Sequence, residues 1–135
     1  MDAITLLKTD HEKVKSLFEQ AENASDKEKV SIFEKIKEEL EIHTHIEETI
    51  LYPKLKEIEE FKDLTLEAVE EHHQAKIFLR EISALSEDSE KFEPKLKVLQ
   101  EDIEHHVEEE EEEMFKDARK KLTKEEIEDL GERLS

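Results

Sequence analysis

An imidazole and a carboxylate one helical turn apart interrupt an otherwise apolar helix face at His43 and Glu47. Side chains four residues apart are neighbours on a helix, with Cβ atoms about 6 Å apart. An unpaired ionised carboxylate in a core costs several kcal/mol or is driven to its neutral form, and a bound cation removes that penalty. At roughly 100° per residue, the surrounding apolar residues share the face of this pair. They are Ile32, Phe33, Ile36, Leu40, Ile46, Ile50 and Leu51.

The rest of the chain favours helices throughout. It has one glycine and two prolines in 135 residues, and it is rich in Glu, Lys and Leu, which are good helix formers. Apolar periodicity predicts helices at about 2–23, 26–60, 63–85, 94–121 and 124–134. Four long helices with short connections predict an all-α, up-down-up-down four-helix bundle with a short C-terminal fifth helix, and a single domain over 1–135.

Local signals set several helix boundaries. Ser25 with Glu28 and Thr123 with Glu126 have the spacing of capping boxes, which begin helices. Pro53 lies inside the second helix, where it removes a backbone donor and crowds the preceding turn, so a kink is expected at about 49–52.

Charge and composition exclude several classes of function. The net charge of −19 argues against nucleic-acid and anionic-membrane partners, because neither can be bound without a basic face. The absence of cysteine excludes thiolate ligands and iron–sulfur clusters, so any metal must be held by nitrogen and oxygen. The N-terminus has no signal-peptide pattern, and no apolar run approaches the ~20 residues of a membrane span. We therefore expect a cytoplasmic protein.

An internal repeat extends the metal-binding pattern to all four long helices. The second and fourth helices align at an offset of 63 residues, which pairs His43 with His106 and Glu47 with Glu110. The first and third align at 61, which pairs His11 with His72 on their apolar stripes. Two adjacent metal ions would then each receive two imidazoles and a share of both carboxylates, with positions left open for small molecules. Iron, manganese and zinc all suit such ligands.

These residues resemble the hemerythrin-like, or HHE cation-binding, family over nearly the whole chain. The resemblance rests on His11, on His43-xxx-Glu47-Glu48 with Leu51-Tyr52-Pro53, on Glu71-His72, and on His106-xxx-Glu110-Glu111 with Met114-Phe115. It implies a cofactor of two iron ions in a non-haem di-iron centre. The metal ligands that it implies are His11, His43, Glu47, His72, His106 and Glu110, with the two glutamates bridging.

The chain departs from the oxygen-carrying hemerythrins at two places. Those carriers have two histidines four residues apart on the third helix, whereas here His72 is followed by Lys76. They also place the last carboxylate five residues after its histidine; here Glu110 stands at four and Glu111 at five, and the periodicity favours Glu110. The more open site that this implies favours a sensor, or a protein that handles peroxide or nitric oxide, over reversible oxygen carriage.

Other candidate residues have simpler interpretations. His45, His73 and His105 lie off the stripes, which favours solvent-facing or outer positions over metal ligation. Tyr52 points away from the stripe in an ideal helix, so packing is its default role; the alternative is that a kink at Pro53 redirects its phenol to the vacant position on one metal. In the acidic run of residues 108–113, Glu110 alone clearly faces inward, with Glu113 ambiguous.

The sequence thus predicts a di-iron protein that binds, senses or reacts with dioxygen, peroxide or nitric oxide. No general base or nucleophilic triad is evident, and whether the protein is an enzyme is left open. Two alternatives remain: a metal-responsive sensor or binding module without turnover, and a structural metal-stabilised bundle. A closed zinc bundle is disfavoured, because six ligands exceed the usual tetrahedral set. The sequence identifies no protein partner.

Overall fold

The computed structural model describes residues 2–134, which form helices joined by short turns and contain no strand. The first long helix is α1 (Ala3–Glu22). The second comprises α2 (Asp26–Ile46), a π-helical segment (Glu47–Leu51) and α3 (Tyr52–Lys56), and a short 3₁₀ turn (Glu59–Phe61) follows. The third is α4 (Lys62–Ser83). The fourth comprises α5 (Phe92–Glu109), a second π-helical segment (Glu110–Met114) and α6 (Phe115–Lys121), and α7 (Lys124–Leu134) follows it.

The predicted all-α bundle with a fifth helix is confirmed. Helix α1 packs on α2 and α5, and α4 packs on the same two helices, as in a square of four antiparallel segments. The second long helix is shorter than expected, because it ends at Lys56 and not near residue 60. We refer below to α1–α3 as the first hairpin and to α4–α6 as the second.

Side-chain caps fix three helix starts. Asp2 accepts from the backbone N–H of Thr5 at 2.8 Å, and Ser25 accepts from that of Glu28 at 3.4 Å. At α7 the capping box is complete, since the Thr123 hydroxyl accepts from the Glu126 N–H and the Glu126 carboxylate accepts from the Thr123 N–H. The polar residues between the helices therefore have a structural role.

The kink predicted at Pro53 has a different form and a different cause. The backbone N–H of Tyr52 bonds to the carbonyl of Glu47, five residues back, and that of Phe115 bonds to the carbonyl of Glu110 in the same way. Lys116 stands in the second hairpin where the first has Pro53. The wide turn therefore does not require proline. Single π-helical turns inside α-helices are often found at functional sites.

Two apolar clusters fill the bundle, one at each end. One is built around residues such as Leu7, Leu55 and Phe61, and α7 covers it through Ile127 and Leu130. The other includes Phe18, Phe33 and further residues nearer the opposite end. The buried histidines and glutamates lie between the two clusters along every long helix. None of the described helices is long and apolar enough to cross a membrane.

Candidate metal centre

Six buried polar side chains form one layer between the two apolar clusters. Each is at most 9% exposed, although Asp, Glu and His are seldom buried so deeply without partners. They are His11, His43, Glu47, His72, His106 and Glu110. The structure thus brings together all six residues that the sequence singled out.

The four imidazoles are arranged as two similar pairs. His11 and His43 of the first hairpin have their Nε2 atoms 3.2 Å apart, and His72 and His106 of the second have the same separation. The ring centroids are 4.9 Å apart in both pairs, at interplanar angles of 62° and 67°. The repeat in sequence is therefore reproduced as a repeat in geometry.

Each glutamate links the two pairs. Glu47 Oε1 lies 3.2 Å from Nε2 of His43 on its own helix and 3.2 Å from Nε2 of His72 in the other hairpin. Glu110 makes the matching contacts at 3.2 Å, with His106 on its own helix and with His11. Two four-residue groups can each surround one cation, and both groups contain Glu47 and Glu110. The geometry is that of two adjacent sites with shared carboxylates.

The two carboxylates are only partly satisfied by protein donors. Both oxygens of Glu47 and Oε1 of Glu110 are buried without a hydrogen bond, although imidazole nitrogens stand 3.2 Å away. Leaving a buried charged acceptor unpaired is costly, whereas a cation bound by these oxygens satisfies them directly. The residues present therefore fit a metal-binding role.

Protonation holds the layer together when no cation is bound. Burial lowers the pKa of His43, but the Glu47 carboxylate raises it by more, so that the net pKa is about 10. Burial opposes the charged form of His106 too, but hydrogen bonding to Glu110 raises its pKa to about 11. Burial would raise the pKa of Glu110, yet its close contacts with Glu47, His106 and His11 hold it well below its usual range. A bound cation would release the imidazole protons.

A second ring of carboxylates contacts the outward-facing imidazole nitrogens. His11 Nδ1 lies 2.7 Å from Glu111, His43 Nδ1 3.5 Å from Asp10, His72 Nδ1 3.4 Å from Glu48, and His106 Nδ1 3.2 Å from Glu71. In every case the carboxylate and the histidine lie on different long helices. The two helices belong to the same hairpin for His43 and His106, and to opposite hairpins for His11 and His72. Only the contacts of His11 and His106 are hydrogen bonds, whereas Nδ1 of His43 and of His72 makes none. A hydrogen-bonded partner of this kind orients a metal-binding imidazole and fixes its tautomer.

Sequence reasoning did not assign this outer ring, although the repeat contains a signal for it. Asp10 aligns with Glu71 and Glu48 with Glu111 at the same offsets that relate the inner residues. The predicted preference for Glu110 over Glu111 as the inward-facing carboxylate agrees with the structure, in which Glu110 is 2% exposed and Glu111 contacts the outer side of His11.

Two aromatic rings lie against the layer on the side of the cluster that α7 covers. Tyr52 stacks on His72 with centroids 5.5 Å apart, and Phe115 stacks on His11 at 5.8 Å. The Tyr52 hydroxyl donates to Glu110 Oε2 at 2.7 Å and lies 3.3 Å from His72 Nε2. Burial, followed by repulsion from the two glutamates, raises the pKa of Tyr52 strongly, so the phenol remains a donor. Packing is thus only part of its role.

The remaining candidates lie outside the layer. His45, His73, His105 and Glu113 are exposed, and His105 contacts Glu109 at 2.8 Å. Lys76, which stands where oxygen carriers have a histidine, extends to the Glu48 carboxylate at 3.3 Å. It therefore supports the outer ring and does not contact the inner six.

Comparison with known proteins agrees with this geometry. The sequence profile of the hemerythrin HHE cation-binding domain matches residues 2–118. A crystal structure of a hemerythrin HHE cation-binding domain-containing protein from Mycobacterium kansasii superposes with a TM-score of 0.86 at 27% identity, covering 99% of this chain and 83% of that one. That match extends over α7, which lies beyond the profile.

A relative from Nostoc sp., described as a DNA nickase, is 30% identical over 129 residues. The match covers 95% of this chain but only 36% of the relative, so most of that protein has no counterpart here. The profile match, the shared bundle and the buried His/Glu layer lead to one conclusion: the chain belongs to the hemerythrin HHE cation-binding domain family.

Proposed function

We propose that this protein holds a non-haem di-iron centre, and that the centre binds, senses or reacts with dioxygen or a related small oxidant such as peroxide or nitric oxide. The proposed iron ligands are His11, His43, His72 and His106, with Glu47 and Glu110 bridging. The observation that carries the proposal is the pair of four-residue groups sharing two buried carboxylates, three of whose four oxygens make no hydrogen bond.

Two ions explain the layer better than one. A single cation bound between one histidine pair would leave the other pair without a metal partner, although both pairs have the same spacing. Imidazole with carboxylate suits iron, manganese and zinc, and the resemblance to hemerythrin-like proteins favours iron. A structural zinc site is usually closed by four ligands, whereas this layer offers six side chains.

When bound, an iron pair supplies redox chemistry and open positions for a small oxidant. The chain contributes the surroundings. Apolar clusters lie on both sides of the layer, and outer carboxylates orient the imidazoles of His11 and His106. The Tyr52 hydroxyl holds one bridging carboxylate, Glu110, in place. The protein thus keeps a polar, preorganised site inside an apolar bundle.

The first test is metal content together with the optical spectrum. The protein is loaded with Fe(II) without oxygen, and air is then admitted. Two irons per chain, with new absorption bands from oxo bridging or ligand-to-iron charge transfer in air, are the expected result. One tightly held zinc, or iron without any spectral change in air, would contradict the proposal.

A sensor without turnover is the second candidate, and the position of the layer favours it. Because the layer separates the two halves of the core, metal occupancy should couple strongly to the stability of the bundle. Consumption of peroxide by the iron-loaded protein, followed at substoichiometric protein, separates the two functions. Steady consumption indicates an enzyme, whereas a metal-dependent change in unfolding without consumption indicates a sensor.

DNA cleavage is not part of the proposal, although one relative is described as a nickase. The net charge of −19 opposes binding to phosphates, and this chain matches about a third of that relative. We expect iron-loaded protein to leave supercoiled plasmid intact at low salt. Conversion of plasmid to the nicked form by substoichiometric protein, and its loss in Glu47→Gln, would show that this expectation is wrong.

A further inference from the structure

A cavity of about 180 Å³ approaches the histidine layer from the side opposite Tyr52 and Phe115. All four buried imidazoles line its inner end, whereas Glu47, Glu110 and Tyr52 do not. The walls are mostly apolar and come from α1, α2, α4 and α5. They include Val14, Leu40, Ala75, Leu79 and Ile103.

The cavity is larger than a diatomic ligand or hydrogen peroxide requires. One water molecule takes about 30 Å³ of liquid, and an apolar protein cavity of about 150 Å³ is sufficient to bind benzene. An apolar wall gains little from contact with water or peroxide, but it stabilises a hydrocarbon group in proportion to the area that it covers. The size and the lining together favour a ligand with a compact hydrocarbon body.

The charges at the cavity mouth select against anions. Glu41, Glu71 and Asp102 line it, of which Glu71 is paired with His106, and Lys76 is the one lysine or arginine among the described lining residues. Lys76 is already paired with Glu48 at 3.3 Å. A carboxylate-bearing ligand would therefore meet net negative charge on entry, whereas a neutral molecule would not.

We propose that this cavity binds a neutral organic hydroperoxide with a compact alkyl or aryl body. Its hydroperoxyl group faces the four imidazoles, and its hydrocarbon group packs on Val14, Ala75 and Leu79. This inference rests on the proposed function, since it names the class of oxidant that the metal centre receives. It concerns binding and orientation, which can be measured without turnover.

Zinc-loaded protein provides the test, because zinc has no redox chemistry and occupies similar ligands. tert-Butyl hydroperoxide is titrated into it while the methyl NMR signals of the protein are recorded. The expected result is saturable shifts concentrated at Val14, Ala75, Leu79 and Ile103. Hydrogen peroxide and tert-butyl alcohol are titrated in parallel, and both should bind more weakly than the hydroperoxide.

The matched variants are Ala75→Leu, which fills the cavity next to His72, and Ser83→Leu, which adds the same side chain at an exposed position on the same helix. Ala75→Leu should weaken binding of tert-butyl hydroperoxide by about tenfold or more, since the leucine occupies volume that the hydrocarbon group needs and crowding both into the cavity is unfavourable. Ser83→Leu should bind as the unsubstituted protein does. Zinc content should be two per chain in all three proteins.

Several outcomes would overturn the proposal. They are the absence of shifts at the cavity methyl groups, equal binding by Ala75→Leu, and equal binding of tert-butyl alcohol, which would show that the hydroperoxyl group is not recognised. If two metals bind but the cavity shifts are absent, this inference alone fails. If neither zinc nor iron binds at the layer, the proposed function fails first.

Discussion

The two hairpins supply nearly the same set of polar residues to the centre but different aromatic side chains. The histidine pairs match in Nε2 separation and in ring angle to within a few degrees. At the wide turn that follows each glutamate, however, the first hairpin has Tyr52 and the second has Phe115. The hydroxyl of Tyr52 lies between Glu110 and His72, both from the second hairpin. The repeat thus gives two equal sets of inner side chains, and the Tyr52 hydroxyl is one feature that makes their surroundings unequal.

Removing either bridging carboxylate should have the largest effect. Glu47→Gln and Glu110→Gln should each reduce retained metal sharply, because both candidate sites use both residues. The loss of affinity should exceed the roughly 10–100-fold that is typical for losing an outer partner. Metal analysis after gel filtration measures it. Glu113→Gln, exposed in the same acidic run, is the control and should retain full metal; unchanged content in either test variant would refute the assignment.

The metal-free protein should lose stability as the pH rises above neutrality. The folded-state pKa values of His43 and His106 are raised to about 10 and about 11 from 6.5. The contribution of these two protonated histidines to the free energy of unfolding is therefore fully present below about pH 6.5. It disappears as the pH rises through the folded-state pKa values. Each histidine should lower the free energy of unfolding by up to about 1.4 kcal/mol for every pH unit in that window. Urea unfolding between pH 6 and pH 10 measures the decline.

The metal-loaded protein is the control for that pH dependence. Its imidazoles are held by cations in place of protons, so its unfolding free energy should fall much less over the same range. Metal affinity itself should increase with pH, since protons compete for the same nitrogens. A metal-free profile that stays flat between pH 7 and pH 9 would be inconsistent with paired, protonated imidazoles in the layer.

Outer-ring variants compare the two hairpins directly. Asp10→Asn removes the carboxylate 3.5 Å from His43, and Glu71→Gln removes the one that makes a 3.2 Å hydrogen bond to His106. Each should weaken metal binding by about 10–100-fold, and the shorter contact should matter more. Competition with a chelator measures both affinities. Glu70→Gln, exposed beside Glu71, should have no effect; an equal loss in this control would indicate a general charge effect.

Exchanging the aromatic residues should have a modest effect on stability and the clearest effect on symmetry. Tyr52→Phe removes a hydrogen bond to a buried carboxylate, which contributes about 1.5–3 kcal/mol. In iron-loaded protein, Mössbauer spectra should show two distinct irons for the unsubstituted chain and nearly equivalent irons for Tyr52→Phe. Phe115→Tyr should also make the two environments similar, because it adds a hydroxyl to the second hairpin where Tyr52→Phe removes one from the first. Identical spectra for all three would mean that this hydroxyl does not distinguish the sites.

The inner layer was predictable because its signal is local and repeated. His11, His43, His72 and His106 lie on apolar stripes, and Glu47 and Glu110 follow their histidines by one helical turn. The helix periodicity therefore fixes which side chains face the core, and four stripes in four helices bring them together. Helix starts at Ser25 and Thr123 were predictable for a similar reason, since a cap involves residues three apart.

The position of Tyr52 is not predicted by helix periodicity. Ideal helix geometry places it about 140° from Glu47, but the five-residue turn of the backbone returns it to the same face. The same turn occurs at Phe115 without a proline, so no single residue type encodes it.

The sequence by itself determined an all-helical chain and the six inward-facing polar residues, because each depends on spacing along one helix. It also determined the two-fold repeat, because the same spacing recurs at a fixed offset along the chain. Only the tertiary structure decided which carboxylate contacts which imidazole. It also decided where the cavity opens and which ring stands over which histidine. Those features depend on the distances between helices that are far apart in sequence, and the packing of the whole bundle sets them.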